Sequence, residues 1–233
     1  MGNQKRPLVH NLYESPMKPE EIEAASFAAI DSEAGEHGFT TDEWIVVRRM
    51  IHTTADFALV KSVLFSEDAI ESASNALEER CSIYVDSNMI RSGVSEARLK
   101  AVNTAYIKDD VVCHVADKDV AEECKTAGLP RSLFAVRKAK NILHGGIAAF
   151  GNAPVALLEL NRMIVEDGIK PALVIGMPVG FIHVEESKEE LKSLGVPYII
   201  LEGRRGGSPI AVSVIHSLCA IAAERVKGGV NAV

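Results

Sequence analysis

The sequence has few cysteines and no metal-binding pattern of cysteine or histidine. Its four cysteines, at positions 81, 113, 124 and 219, have no CxxC spacing, so neither a zinc site nor a disulfide framework is indicated. The seven histidines form no HxxxH or HExxH pair. We therefore expect no protein-bound metal, and we expect free thiols in a reducing compartment.

The sequence also lacks a surplus of positive charge and a long apolar run. Lys and Arg number 25 against 32 Asp and Glu, and the net charge of −7 argues against general nucleic-acid binding. The first residues contain no apolar core of a signal peptide, and nowhere do eighteen apolar residues run together. We expect a cytoplasmic protein that binds neither nucleic acid nor membrane.

Apolar residues are plentiful. They make up 47% of the 233 residues, which is enough to fill the core of one large α/β domain. We predict a single domain over 1–233. Within it, we expect 16–80 to be mainly helical, 81–225 to alternate between strand and helix, and 226–233 to be a frayed tail.

Two amphipathic helices are predicted near the amino end. The first, "KPEEIEAASFAAIDSEA", has Pro19 and acids in its first turn and places Ser26 beside a stripe that contains Ile22 and Ile30. The second has a capping box at its start and ends in "RRMIHTT". Its dipole favours a charged imidazolium at His52, although a lone histidine is more often structural than catalytic. We also consider Asp56 as a partner for His52.

The pattern then changes to short apolar runs that alternate with helices, which predicts parallel strands joined by right-handed crossovers. The runs are "SIYV", "DVVCHVA", "GGIAAFG", "PALVIGM" and "PYIILEG". The helices begin near Lys118, Pro130, Asn152, Glu185 and Ser208. The last three runs end in glycine, and such strand-to-helix turns hold ligands in open parallel sheets.

Several of these turns carry residues suited to binding an anion. Asn152 is placed as a helix N-cap that presents backbone amides to an anion, although caps like this are common and more often mark a plain strand-to-helix junction. "LEGRRGGSPIAV" offers Arg204, Arg205 and the helix start at Ser208, in a pattern that is neither a P-loop nor GxGxxG. Arg131 opens another helix, where an arginine opposes the dipole unless an anion is near.

Taken together, these blocks resemble the precorrin-8X methylmutase family, which includes the cobalt-precorrin-8 methylmutases. The resemblance runs from about residue 16 to 223. It rests on "SFAAI", "RRMIHTTADF", "GLPRS", "FGNAPVALLEL", "VIGMPVGFIHVEESKEEL" and "GRRGGSPIAV" in that order. It implies a flavodoxin-like, three-layer α/β fold with a mainly parallel sheet and a helical amino-terminal region. It also implies a homodimer that moves a methyl group from carbon 11 to carbon 12 of a tetrapyrrole without any cofactor.

The resemblance assigns roles residue by residue. The histidine of the RxxH helix is the catalytic acid and matches His52, and the serine of the "SF" block contacts substrate and matches Ser26. The arginine before serine matches Arg131, although Pro130 stands where the family often has threonine. This chain also has Ile182, His183 and Val184 where the family usually has small residues. Further substrate contacts are predicted at Thr53, Thr54, Asn152, Met177, Val179, Phe181, Arg204, Arg205 and Ser208.

A rival interpretation is a binding module. A flavodoxin-like domain with these strand-end loops could hold a corrinoid or a nucleotide without reacting it. Such a carrier has no use for a positioned acid, so His52 distinguishes the two interpretations.

Overall fold

The computed structural model describes residues 6–230, which form two compact units, 6–37 and 38–230. The first unit contains α1 (Val9–Glu14) and α2 (Pro19–Ala34). The predicted helix over 18–34 is therefore confirmed, but Ile22 is exposed and Ile30 is the buried member of its stripe. The single domain over 1–233 stays a prediction.

A six-stranded sheet forms the centre of the second unit, with strand order β1-β6-β5-β4-β2-β3. All neighbouring strands are parallel except β1 and β6. If β2 to β6 are counted as the first to fifth parallel strands, their spatial order is 2-1-3-4-5, the flavodoxin-like order. The strands are β1 (Val63–Phe65), β2 (Ile83–Val85), β3 (Val111–Val112), β4 (Ile147–Phe150), β5 (Leu173–Gly176) and β6 (Tyr198–Leu201).

The five predicted parallel strands are confirmed, whereas β1 was not predicted from the sequence. It is three residues long and pairs antiparallel with β6, with Val63 opposite Leu201. A strand this short shows too little alternation of apolar and polar residues to be recognised from sequence.

Helices cover both faces of the sheet, which explains why the central strands are apolar without alternation. Tyr84, Ala148, Phe150, Val174 and Ile200 face the layer that contains α10. That layer consists of α7 (Lys118–Ala127), α8 (Arg131–Lys138), α9 (Lys140–Leu143), α10 (Pro154–Asp167) and α11 (Val184–Lys192). The opposite layer consists of α3 (Thr41–Thr54), α4 (Ala69–Glu78), α5 (Asn88–Gly93), α6 (Glu96–Val102) and α12 (Ser208–Val230).

The long helix α12 is the one helix in the described residues that is long and apolar enough to cross a membrane. Most of it is buried inside the protein, where it packs against α3, α4, α5 and α6 and against β4 and β5. Its apolar composition is therefore explained by its place in the core.

Candidate functional site

The carboxyl ends of the parallel strands meet at one edge of the sheet, and the loops that leave them carry most of the predicted site residues. Residue 86 follows β2, 151–153 follow β4, 177–183 follow β5 and 202–207 follow β6. The strand order reverses between β2 and β4, so the topological switch point lies beside residues 86 and 151. Ligands bind at this edge in folds of this kind.

A buried carboxylate occupies the switch point. Asp86 accepts hydrogen bonds from the N–H groups of Gly151 at 3.0 Å, Asn152 at 2.9 Å and Ala153 at 2.7 Å. Burial raises the pKa of Asp86, and the three N–H donors oppose that rise. The predicted N-cap at Asn152 is wrong, because α10 begins at Pro154 and its N-cap is Ala153. The predicted free amides are wrong too, because all three donate to Asp86.

The loops after β5 and β6 are held against each other by their backbones. Gly207 N–H donates to Met177 O at 2.8 Å, and Gly180 N–H donates to Arg204 O at 3.3 Å. A Cβ on Gly206 would lie only 2.2 Å from Met177 O, so only glycine fits there. The glycines of the loop after β6 therefore bring the two loops together. Met177 is fully buried, so its predicted side-chain contact with a ligand is wrong.

These two loops and the turn after α3 surround a cavity of about 330 Å³, which we call the loop pocket. Arg205 Nη1 lies 2.8 Å from Asp56 Oδ2, while the Arg204 guanidinium lies 5.9 Å from the centre of the Phe181 ring. Phe181 is 81% exposed. The pocket brings together five predicted residues, namely Thr54, Val179, Phe181, Arg204 and Arg205.

His52 lies in the last turn of α3 and its side chain is exposed, whereas its neighbours Met50 and Ile51 are buried. The helix ends at Ala55, which adopts the left-handed conformation with φ 53°. The hydroxyls of Thr53 and Thr54 donate to Arg49 O and Met50 O, both at 2.9 Å. These two O–H groups are therefore engaged within the helix, and Asp56 has Arg205 as an ion-pair partner.

A second cavity of about 350 Å³, which we call the helix pocket, lies between α3, α5 and the start of α12. Ser208 lines it and is largely buried, with its Oγ 2.9 Å from Ser87 Oγ. His216 Nε2 accepts a hydrogen bond from Ser95 N–H at 3.0 Å. Burial, aided by Arg98, Arg49 and Lys108, lowers the pKa of His216 to about 4, so this imidazole is neutral near pH 7.

The helix pocket contains functional candidates that the sequence analysis did not single out. They are Arg49, Met89, Ser213 and His216. One signal was present for His216, because it is the only charged or titratable side chain between Ser208 and Cys219 on an apolar helix. The two pockets lie on either side of the contact between α3 and α12. Thr53 lines the helix pocket and Thr54 lines the loop pocket.

Among the predicted residues of the second unit, four line neither pocket, namely His52, Arg131, Asn152 and Met177. Ser26 is in the unit formed by residues 6–37, half-buried, and its Oγ donates to Ile22 O at 2.8 Å. Arg131 is exposed at the start of α8, in the layer opposite α3 and α12. Within residues 6–230, no three His, Cys, Asp or Glu side chains are grouped as metal ligands.

Comparison with known proteins gives consistent matches. A family model described as precorrin-8X methylmutase matches residues 21–221. A cobalt-precorrin-8 methylmutase of Leptospira interrogans is 42% identical over 212 residues, which cover 88% of this chain and 94% of that protein. Its counterpart in Priestia megaterium is 40% identical over 206 residues, covering 88% of this chain and 89% of that protein.

A solved structure is also similar. The chain matches the crystal structure of a Thermus thermophilus precorrin-8x methyl mutase with a TM-score of 0.81 and 41% identity. The match covers 88% of this chain and 97% of the other. The range 21–221 matched by the family model includes every residue named above in the two pockets.

Proposed function

Because the chain belongs to the precorrin-8X methylmutase family, which consists of isomerases of cobalamin biosynthesis, we propose that it moves a methyl group from carbon 11 to carbon 12 of precorrin-8 or its cobalt form. The product would be hydrogenobyrinic acid or its cobalt counterpart. The observation that carries the proposal is the family match over residues 21–221, which includes His52, exposed in the last turn of α3.

The proposed rearrangement requires few catalytic groups from the protein. The bond between carbon 11 and the methyl group breaks while the bond to carbon 12 forms, so substrate and product have the same composition and no second substrate is required. Donating a proton to the conjugated ring draws electron density toward the position that receives the methyl group. Histidine is suited to that task near neutral pH, and we assign it to His52.

The acidic side chains of the ring need positive partners, and the loop pocket provides them. Arg204 and Arg205 can each bind a carboxylate through two N–H groups. Arg205 is paired with Asp56, so a substrate carboxylate would share or displace that pair. Phe181 and Val179 are exposed apolar contacts for the flat ring. Thr53, Ser208 and the side chain of Asn152 remain candidate contacts, as do Ser26 and Arg131.

We propose a homodimer whose second subunit completes the site. Cavities of about 330 and 350 Å³ suit parts of a tetrapyrrole with its acidic side chains rather than the whole molecule. Met89, Phe181 and Ile182 are all more than 60% exposed beside these cavities, which is typical of a surface that is covered in an assembly. Sedimentation velocity tests the proposal, and a monomer with full activity would contradict it.

The alternative of a nucleotide-binding module receives no support from the switch point. In a nucleotide-binding fold the amides at this helix start bind phosphate, whereas here they donate to Asp86. A corrinoid carrier without catalytic activity is the remaining alternative. An assay for conversion of the pigment distinguishes this carrier from the enzyme. We propose a cytoplasmic location for this biosynthetic enzyme. The burial of α12 bears only on whether that helix spans a membrane, which it argues against.

The experiment compares the wild type with His52→Ala, and uses His144→Ala as the control because His144 is also exposed but precedes β4 at the other edge. Each protein is incubated with precorrin-8X and separately with its cobalt form. Absorption of the pigment and retention of ligand are measured together. We expect His52→Ala to bind the pigment but to convert it at least about 100-fold more slowly, with partial recovery in added imidazole.

Two other outcomes are informative. Equal conversion by His52→Ala and the wild type would show that the proton comes from another group. Binding without conversion by the wild type would favour the carrier.

A further inference from the structure

Lys188 is a buried lysine whose ammonium group donates hydrogen bonds to the backbone of the loop after β6. Its side chain is 1% exposed, which is rare for lysine in a folded protein unless the charge has partners. The Nζ atom donates to Leu201 O at 2.6 Å, Gly203 O at 2.8 Å and Arg205 O at 2.8 Å. The ammonium group therefore has one hydrogen-bond acceptor for each of its three N–H groups.

The three carbonyls belong to alternate residues, namely Leu201 at the end of β6 and Gly203 and Arg205 in the loop that follows. That loop has little regular structure of its own, and Gly203 at φ 69° and Gly207 at φ 131° are glycines, whose backbone has more accessible conformations than that of other residues. Lys188 binds the inner side of the loop, from helix α11. The side chains of Arg204 and Arg205 leave the outer side, where both are exposed and line the loop pocket.

We propose that Lys188 is a positioning residue, which fixes the backbone from Leu201 to Arg205 so that Arg204 and Arg205 are presented to the ligand in the loop pocket. The ligand part of this inference rests on the proposed function, since it assumes that the pocket takes acidic side chains of a tetrapyrrole. The backbone part does not, because it concerns contacts within the protein.

The test compares Lys188→Met with Lys192→Met. Methionine is unbranched and reaches to the position of the lysine Cε, and it removes the three donors. Lys192 is the matched control, because it lies one turn later on α11 and reaches the same region through Glu202 at 3.1 Å, but by a side-chain ion pair. Hydrogen exchange is followed at the N–H groups of Gly207 and Gly180, which join the two loops. The N–H of Ala172, at the opposite edge of the sheet, serves as the reference.

We expect the exchange protection factors at the N–H groups of Gly207 and Gly180 to be at least about tenfold lower in Lys188→Met than in the wild type. The protection factor at Ala172 should change little. We also expect the Kd of Lys188→Met for hydrogenobyrinic acid to rise about tenfold, whereas Lys192→Met should match the wild type in both measurements. An equal loss at Ala172 would reveal general destabilisation and would overturn the positioning role, as would full protection at Gly207.

The outcomes separate the two parts of the inference. Loss of loop protection with unchanged affinity would overturn the arginine contacts of the proposed function while the anchoring of the loop stands. Failure of the wild type to bind hydrogenobyrinic acid would contradict the proposed function, and the exchange measurements would still decide the role of Lys188.

If Lys188→Met does not fold, the wild type provides a second test. Burial lowers the pKa of Lys188 to about 8, and the neutral amine has only two N–H groups for three carbonyls. Protection at Gly207, corrected for intrinsic exchange, should therefore fall between pH 7 and pH 9.5 relative to Ala172. A constant ratio would overturn the proposal. The charged side chain that acts on the ammonium is Glu185 on α11. The charged residues of the bound loop have other partners, since Glu202 pairs with Lys192, Arg204 with Glu185 and Arg205 with Asp56.

Discussion

Arg205 Nη1 lies 2.8 Å from Asp56 Oδ2, and this ion pair joins the loop after β6 to the turn that follows the helix of His52. Asp56 has a second role, because its Oδ1 accepts a hydrogen bond from Ala58 N–H at 2.9 Å and so caps a short 3-10 helix. The two roles can be separated by substitution, since asparagine keeps the acceptor oxygen but not the charge.

Asp56→Asn should release Arg205 for a substrate carboxylate and lower the KM severalfold, at a cost of less than about 1 kcal/mol in the free energy of unfolding. Asp56→Ala should lose about 1 kcal/mol more, because the cap is lost as well. Urea titration and steady-state kinetics measure the two effects. A KM that rises in both variants would mean that Asp56 itself supports the substrate.

Asp86→Ala should lower the free energy of unfolding by about 3 kcal/mol or more, because three N–H groups at the switch point lose their acceptor. Sulfate should restore part of the melting temperature of this variant, because an anion can occupy the helix start. Thermal melts in sulfate and in chloride at equal ionic strength measure the difference. Asp109→Ala, at an exposed position, is the control, and equal responses to sulfate would refute the prediction.

Stability should depend on pH through His216. The pKa of its imidazole is lowered from 6.5 to about 4 in the folded protein, so the unfolded chain binds more protons between these values. The free energy of unfolding should therefore fall as the pH falls from 6.5 to 4. His216→Gln retains an acceptor for Ser95 N–H. Its free energy of unfolding should depend less steeply on pH, because unfolding takes up as much as one proton fewer than in the wild type. Parallel slopes in urea titrations of the two proteins would contradict this.

Phe181→Ala should leave the free energy of unfolding within about 0.5 kcal/mol of the wild type, because the ring is 81% exposed. It should nevertheless raise the KM, because the flat tetrapyrrole loses a ring to pack against and Arg204 loses its aromatic neighbour. Val165→Ala, which changes an exposed apolar residue on α10, is the matched control. The same KM in both variants would remove Phe181 from the site.

The parallel strands were predictable because each is an apolar run buried on both faces. The loop pocket was predictable in part, because the carboxyl ends of parallel strands meet at one edge and bring Val179, Phe181, Arg204 and Arg205 together. The predicted contact of the Met177 side chain with a ligand failed for a local reason. Met177 follows β5 directly and continues into the core, and the loop turns outward only after Pro178.

Other features depend on residues far apart in the chain. Asp86 accepts a hydrogen bond from Asn152 N–H across 66 positions of the sequence. Nothing in "FGNAPVAL" therefore reveals that its backbone N–H groups already have an acceptor. Lys188 likewise contacts carbonyls, which leave no trace in the sequence of the loop. His216 lies on α12 and Arg49 lies on α3 beside Arg48, and only the packing of α3 against α12 places His216 and Arg49 in one pocket.

The two outer strands of the sheet bear on how copies of the protein associate. β1 has three residues and β3 has two, so each outer strand offers few unpaired backbone groups to an approaching chain. Such short edge strands protect against edge-to-edge aggregation and make a continuous sheet across two subunits unfavourable. The proposed homodimer should therefore form through helices and loops, and the strand-end loops with their exposed apolar side chains are the surface that we expect it to use.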